Sequence, residues 1–513
     1  MQLTFIVLKK PTTLPPTLKS TVLFSPSNWD DYSFKTLFGV VFFGVDGKKV
    51  DLGSIKIGYV DQPHGWTSEN LKDEFTSLDS HFFSLGQDVD FYKKIHDELS
   101  IEESEGFLTS LKDVIYDEKI FNAVKDESVF RNSLMRNVSR SVIEDQFRRV
   151  LAGLPESTEF DFAYEDKGDD RRAPVRLSFK VMPGSMPTSN VHVLIGRNGV
   201  GKTTILNDMV ETLLCKTTGR PHNGNFYVAH PFSGVRLMPE DYFSSIVSVS
   251  FSAFDPFLFP EDQPDRSKGV AYFYVGMQST INSAGHRPPK APGDLKTDFI
   301  DSLSSCLSQP TKRHRWLKAI KRLESDANFE EMTLGRLADM PEDEALVKAG
   351  LLFGRMSSGH SIVLLTTTKL VDTVEEKTLV LMDEPESHLH PPLLSAFTRA
   401  VSDLLQNRNG VAIIATHSPV VVQEVPRLCV WKLTRNRTEG RSDRPERETF
   451  GENAGILTRE IFGLEVSKSG YHAVLQAAVD KGGTFESIYD DYKGQLGFEA
   501  QAILQKLISA RLE

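Results

Sequence analysis

Along the chain the apolar positions change period several times, and each change marks a change of element. Residues 1–10 open with a short apolar run ending in Lys9-Lys10, which reads as a first strand and is too short for a signal-peptide core. Residues 36–60 hold two runs of β-branched and aromatic side chains around Asp46-Gly47, a turn signal, so a β-hairpin is expected. From 65 to 149 the spacing becomes helical (Leu99, Phe107, Leu111, Val114, Ile115), with many charges and no turn clusters to separate strands. Residues 153–175 are turn formers and charge, 176–180 and 192–195 read as strands, and helical character begins at Thr203. A strand over 246–251 precedes the loop 283–294, whose Pro-Pro-Lys-Ala-Pro-Gly core no regular element tolerates; the chain is then helical to about Lys348. Strand 379–383, helix 393–405 and strand 411–415 make a second α/β stretch, followed by a charged hairpin tip over 435–447 and a helical end segment over 471–513. No internal repeat is visible, nor a heptad run long enough for a coiled-coil arm.

The strand ends carry the chemistry. Gly196-Arg197-Asn198-Gly199-Val200-Gly201-Lys202-Thr203 fits G-x-x-x-x-G-K-[ST] and lies between an apolar strand and a helix, where a phosphate cradle belongs. The backbone N–H groups from Gly196, Arg197, Asn198, Gly199 and Gly201 can wrap phosphates, and the helix N-terminus adds positive potential. Lys202 reaches the β and γ phosphates, and the Thr203 hydroxyl, with Thr204 beside it, faces Mg²⁺. ATP and Mg²⁺ are the expected cofactors. Residues 378–382 are an apolar run ending in Asp383-Glu384, as in a central strand buried on both faces. Asp383 is the expected second Mg²⁺ ligand, and Glu384 the base that deprotonates water. His417 follows the apolar run 411–414; a lone histidine is ordinarily structural, but its strand-end place suits a γ-phosphate sensor. Ser357-Ser358-Gly359-His360 precedes a helical run and offers a second anion site at a helix N-terminus.

Glycine loop, Ser-Ser-Gly-His, acidic strand and strand-end histidine, in this order, resemble the ABC ATPase superfamily, including SMC, RecF and Rad50 heads. The Ser-Ser-Gly-His stretch resembles the L-S-G-G-Q signature, with Ser358 for the first glycine and His360 for the glutamine. Asp383-Glu384-Pro385-Glu386-Ser387-His388-Leu389-His390-Pro391 resembles the form found in OLD-like and defence-island ATPases, where usual ABC heads carry an aspartate at the position of His390. His388 and His390 stand two apart without a third ligand in sequence, so no metal site is read there. Residues 248–257, with Asp255 at the Q-loop place, and 448–453 resemble the Septu and retron-associated anti-phage ATPases of the PtuA type.

This resemblance implies an α/β ATPase head of mainly parallel sheet. The expected divisions are a β-rich part of the head over 1–64, a helical insertion over 65–150, the head with its glycine loop over 151–257 and a helical subdomain over 258–350. The head resumes over 351–470 with signature, acidic strand and histidine, and a helical segment closes at 471–513. It also implies a homodimer or higher homo-oligomer in which Ser357, Ser358 and Gly359 address the nucleotide of the opposite head, and a separate HNH-type, PtuB-like nuclease that the ATPase regulates. A RecF- or Rad50-like repair ATPase and an OLD-like ATPase-nuclease are the rival readings. The nuclease rival has one internal candidate, the loose D…E-x-K echo of Asp161 and Glu165-Asp166-Lys167, read as a charged turn.

Composition narrows the setting. With 513 residues, 40% hydrophobic and 25% charged, the chain can bury ordinary cores. A net charge of −11 disfavours broad coating of nucleic acid, so any contact would be local or through the complex. The basic stretch 311–323 puts Arg315, Lys318 and Arg322 on one face, read as a solvated surface or, second, a phosphate contact. Cys215, Cys306 and Cys429 form no C-x-x-C pair, and no apolar run reaches the roughly 20 residues of a membrane span, so a reducing, cytoplasmic setting without a membrane is expected.

Overall fold

The computed structural model describes residues 3–9, 18–136, 138, 143–153, 159–169, 172–218, 224–230, 234–251, 259–265, 269–279, 289–436, 439–462 and 470–512. Strands β1 (Thr4–Val7), β2 (Thr21–Pro26), β4 (Leu37–Phe43), β5 (Lys49–Tyr59), β7 (Glu74–Phe75) and β8 (Phe82–Gly86) form a six-stranded sheet in the order β7-β1-β2-β4-β5-β8. Two short strands, β3 (Phe34–Lys35) and β6 (Gly65–Trp66), pair separately. The hairpin expected around Asp46-Gly47 is β4–β5, with Gly47 at φ 84°. Helices α1 (Val89–Glu98), α2 (Ile101–Ser110) and α3 (Glu118–Val124) cover this sheet. Phe107 of α2 meets Phe5, Phe42 and Phe91 at ring-centroid distances of 6.2, 6.0 and 6.2 Å, a contact joining both ends of the segment.

Two expectations change here. The region after residue 65 is not purely helical, because Phe82–Gly86 is a fully buried strand too short to reveal a period. The described residues of 1–64 also share one hydrophobic core with those of 65–150, around a sheet separate from the one that carries the glycine loop.

The second unit has two sheets. β9 (Phe160–Asp166), β10 (Val175–Val181), β12 (Gly224–His230) and β13 (Gly234–Leu237) form an antiparallel sheet in the order β10-β9-β12-β13. β11 (Val191–Gly196), β14 (Ser245–Ser250), β15 (Ala271–Gly276), β16 (Thr378–Asp383), β17 (Val411–Thr416), β18 (Val430–Asn436) and β19 (Glu439–Asp443) form a seven-stranded sheet, ordered β15-β14-β16-β17-β11-β18-β19. It is parallel apart from the β18–β19 hairpin. Its central strands β11, β14, β16 and β17 are buried at every position and mostly apolar because both faces are covered. Leu379, Leu381, Ile413 and Leu194 face the antiparallel sheet and α4 (Lys202–Thr218), whereas Val380, Met382, Ile414 and Val193 face the helices. Each such side chain stabilises the fold by about 1.5–3 kcal/mol relative to exposure.

Those helices are α5 (Pro292–Ser308), α6 (Pro310–Leu323), α7 (Ala327–Met332), α8 (Glu342–Phe353), α9 (Ser358–Thr373) and α10 (Pro391–Asn407). Phe299, Trp316 and Phe353 belong to the same core as Val380 and Ile414, so the described part of the helical subdomain shares its core with the sheet. α11 (Ala454–Phe462) follows, and the end segment, α12 (Gly470–Asp480), α13 (Phe485–Asp491) and α14 (Phe498–Leu512), closes a small core of Val479, Ile488 and Leu504. No described helix is long and apolar enough to cross a membrane.

Candidate nucleotide site

Strands β11, β16 and β17 lie side by side in parallel, so their C-terminal ends open on one edge of the sheet. The turn out of β11 needs left-handed backbone at Gly199 (φ 79°) and Gly201 (φ 98°), which a side chain would strain. α4 starts at Lys202, whose side chain is only 4% exposed. Lys202 Nζ donates to the carbonyls of Gly196 (3.0 Å) and Arg197 (3.2 Å), folding the ammonium back over the loop. Burial pulls its pKa down, opposed by the charges of Glu384, Asp383 and Glu386. Thr203 and Thr204 follow, half-buried on the first turn of α4, and the Arg197 side chain donates to the carbonyl of Phe462 at the end of α11 (3.1 Å).

Asp383 ends β16, 8% exposed and in register with Ser250 on one side and Ala415 on the other. Glu384 then turns left-handed (φ 44°), and its N–H donates to the carbonyl of Ala415 (2.8 Å). That turn brings its carboxylate to His417, with Glu384 Oε1 3.4 Å from Nδ1. The bond to His417 holds Glu384 below the usual carboxylate range, and the same bond raises His417; burial opposes both. Glu386 completes the edge. Its Oε1 accepts from the Thr416 hydroxyl (2.7 Å) and the His417 N–H (2.8 Å) and lies 3.4 Å from His417 Nδ1. Glu386 had no assigned role in the sequence; its signal was a second acid two places after Glu384.

The signature residues do not join this cluster. Ser357 caps α9, with its Oγ 2.6 Å from His360 Nδ1, and Ser357 and Ser358 are exposed. Gly359 is buried against the turn after the acidic pair, where an added Cβ would lie 2.4 Å from the His388 carbonyl oxygen. His390 caps α10, accepting from the Leu393 N–H (3.2 Å). It is not without ligand-type neighbours, as the sequence spacing suggested, because Asp326 and His360 reach it from distant segments.

Other expectations also meet side chains that sequence spacing hides. Arg315 is neither solvated nor offered to phosphate, since it is 7% exposed and bound to Asp88 at 2.5 Å. Asp161 and Glu165 lie in strand β9 rather than a turn; Glu165 pairs with Arg176 (3.0 Å) and Asp161 faces Lys180 (3.9 Å) on the neighbouring strand. Glu448 of the 448–453 passage accepts the N–H groups of Arg427, Thr449 and Phe450, a loop-fixing role. Asp255 lies outside the described residues.

Residues 237–423 match the AAA domain family of the AbiEii-like, type IV TA system type. Among solved structures the chain is similar to an ATP-binding cassette of an ABC transporter in its ADP conformation (17% identity, 52% of this chain and 85% of that one, TM-score 0.28). It is also similar to an Smc head bound to the C-winged helix domain of ScpA (14%, 56% and 97%, TM-score 0.29), and to UvrA2 from Deinococcus radiodurans (12%, 64% and 43%, TM-score 0.30). Protein ea59 of Escherichia phage lambda is 42% identical over 100% of this chain and 99% of its own length. The chain therefore belongs to the family of phage lambda protein ea59.

Proposed function

We propose that the chain binds ATP with Mg²⁺ at the β11–β16–β17 edge and hydrolyses it between two copies of itself. One observation carries this: a buried lysine at the glycine loop after β11 faces three carboxylates at the end of β16, two strands along the sheet. The donors fit the group, because the Thr203 hydroxyl and Asp383 carboxylate are hard oxygen ligands of the kind Mg²⁺ takes. When bound, the ion neutralises phosphate charge. Lys202 then leaves the Gly196 and Arg197 carbonyls for the β and γ phosphates, and the loop amides replace water around them. Glu384, ionised, takes a proton from water as the water oxygen bonds to the γ phosphorus and the bridging oxygen leaves with the β phosphate. His417, held by Glu384 and Glu386, donates to the γ phosphate and reports its loss. Ser357, Ser358 and Gly359 of the opposite head complete the site, the exposed Ser357 and Ser358 side chains being open to it.

Opening and closing of the heads would gate a separate effector, because a partner that prefers one arrangement shifts with it. By the Septu-type resemblance, that effector is an HNH-type nuclease, and contact with nucleic acid runs through the complex. Support comes from the paired state of Asp161 and Glu165, which gives the internal nuclease echo a plain structural role. A phage-encoded relative spanning the whole chain favours a setting of conflict between phages and hosts.

The test of the site is Lys202→Ala, expected to lose ATP affinity by calorimetry with its melting unchanged; unaltered affinity would remove the assignment. The division of labour is tested by assaying DNA and RNA cleavage by the chain alone and beside its gene neighbour. Cleavage by the isolated chain, abolished in Glu165→Ala but kept in Lys202→Ala, would overturn it.

A further inference from the structure

Asp326, His360 and His390 come from three separate segments, and each presents one ligand atom within 4.8 Å of the others. His360 Nε2 lies 3.1 Å from Asp326 Oδ1, and His390 Nε2 lies 3.1 Å from Asp326 Oδ2. We propose that these three side chains hold a divalent metal ion of the zinc class, at the junction of α7, α9 and the N-terminus of α10. Two imidazoles and one carboxylate are a donor set that zinc takes, and three protein ligands leave one position for water or an outside ligand.

The three ligands are held in place by other bonds. Asp326 caps α7, accepting from the N–H groups of Asn328 (3.0 Å) and Phe329 (3.3 Å), and its side chain is 8% exposed. His360 is fixed through its other nitrogen, with Nδ1 2.6 Å from Ser357 Oγ, the kind of outer bond that orients a metal-binding imidazole. His390 is the ligand that must adjust. Its Nδ1 accepts from the Leu393 N–H, so in the metal-free chain the proton sits on Nε2 and is given to Asp326. Ligation moves that proton to Nδ1 and gives up one helix cap, a small loss beside a zinc–imidazole bond.

Two of the residues that depart from the ABC pattern, His360 for glutamine and His390 for aspartate, converge on Asp326. A common ion would account for both. It has a consequence for Ser357, which rests on the signature reading above. With metal on Nε2, His360 Nδ1–H donates to Ser357 Oγ, leaving the serine proton for an outside acceptor such as phosphate. Without metal, the serine hydroxyl donates to Nδ1 and Nε2–H goes to Asp326.

The test uses the full chain, stripped with a chelator and titrated with Zn²⁺ against a chromophoric competitor, and with Co²⁺ followed by visible absorption. One zinc per chain and the spectrum of four-coordinate cobalt are expected. His360→Gln, and His390→Asn, which retains a helix-capping side chain, should each weaken zinc binding at least tenfold and lose the cobalt spectrum, with circular dichroism and melting as in the parent. Asp383→Ala should keep both signals. No zinc in the parent, zinc retained in either histidine variant, or zinc lost in Asp383→Ala overturns the site. ATP affinity measured on the same samples separates the two readings: zinc without ATP binding removes the nucleotide assignment alone, and ATP without zinc binding removes the metal site alone.

Discussion

Asp88→Ala should loosen the N-terminal unit from the ATPase head, because Asp88 is the anionic centre of a buried network joining them. Its carboxylate is 1% exposed and takes Arg315 of α6 at 2.5 Å and Arg408, which caps α10, at 2.9 Å. Burial alone would raise its pKa, but Arg408 and Arg315 outweigh it and hold Asp88 well below the ordinary range. A carboxylate lowered on folding stabilises fully above its unfolded value, about 3.9, and that contribution is lost as pH falls towards the folded one. Removing one partner of a buried pair costs about 3–5 kcal/mol, mainly from the charge left behind. The orphan here is Arg315, since Arg408 keeps Glu375 and Glu376, each at 2.8 Å. At about 2–4 °C per kcal/mol for a unit of this size, the N-terminal transition should fall by roughly 6–20 °C.

The assay is differential scanning calorimetry at pH 7 of the parent, Asp88→Ala, and Asp88→Ala with Arg315→Met. The double variant removes the orphaned cation in favour of an apolar side chain of similar length, so it should recover most of the loss. If Asp88→Ala melts within a degree of the parent, or the double variant is no better than the single, the network does not hold the two units together.

Glu384→Gln keeps its shape but cannot take a proton, so single-turnover hydrolysis should fall at least a hundredfold; size-exclusion chromatography with ATP should then show a persistent dimer. Gly359→Ala, meeting the His388 carbonyl at 2.4 Å, should cost about 1–3 kcal/mol in urea unfolding and weaken dimer formation while monomeric ATP affinity is unchanged. Asp113, fully enclosed, is pushed up to about 6 by burial, against the opposing bond from Tyr92. The folded state then holds its proton longer than the unfolded state, so this group favours the fold most below its unfolded value, about 3.9, and destabilises progressively as pH rises to about 6. The difference is worth about 3 kcal/mol, and Asp113→Asn should flatten that part of the urea-midpoint profile.

What the sequence made legible was whatever lay in one continuous stretch. The glycine loop, the acidic strand and the β17 histidine each couple an apolar run to a polar end, and the parallel sheet does the rest by aligning strands β11, β16 and β17. Strand β8 was hidden because five buried residues have no period, and β9 because Asp161 and Glu165 read as a charged turn while their cross-strand cations Lys180 and Arg176 were unknown. Arg315 was misread for the same reason. A cation on an amphipathic helix looks solvated until Asp88, 227 positions away, is placed against it. Asp326 had no signal, since an aspartate before a helix reads as an ordinary N-cap.

The hidden contacts are the ones that join parts. Glu375 and Glu376 stand immediately before β16, and Asp383 and Glu384 stand at its other end, so one strand of six residues, about 20 Å, runs from the Asp88 network to the candidate chemistry. Arg408 repeats the arrangement at the end of α10, whose beginning is capped by His390 beside the signature. The N-terminal unit therefore grips the inner ends of the same two elements whose outer ends form the acidic edge and the signature support. A rigid strand and a rigid helix leave little room for one end to move without the other. The Asp88→Ala chain is for that reason expected to report on both: if its N-terminal transition falls while single-turnover hydrolysis and ATP affinity stay at parent values, β16 and α10 are passive supports, and the coupling ends at Arg408.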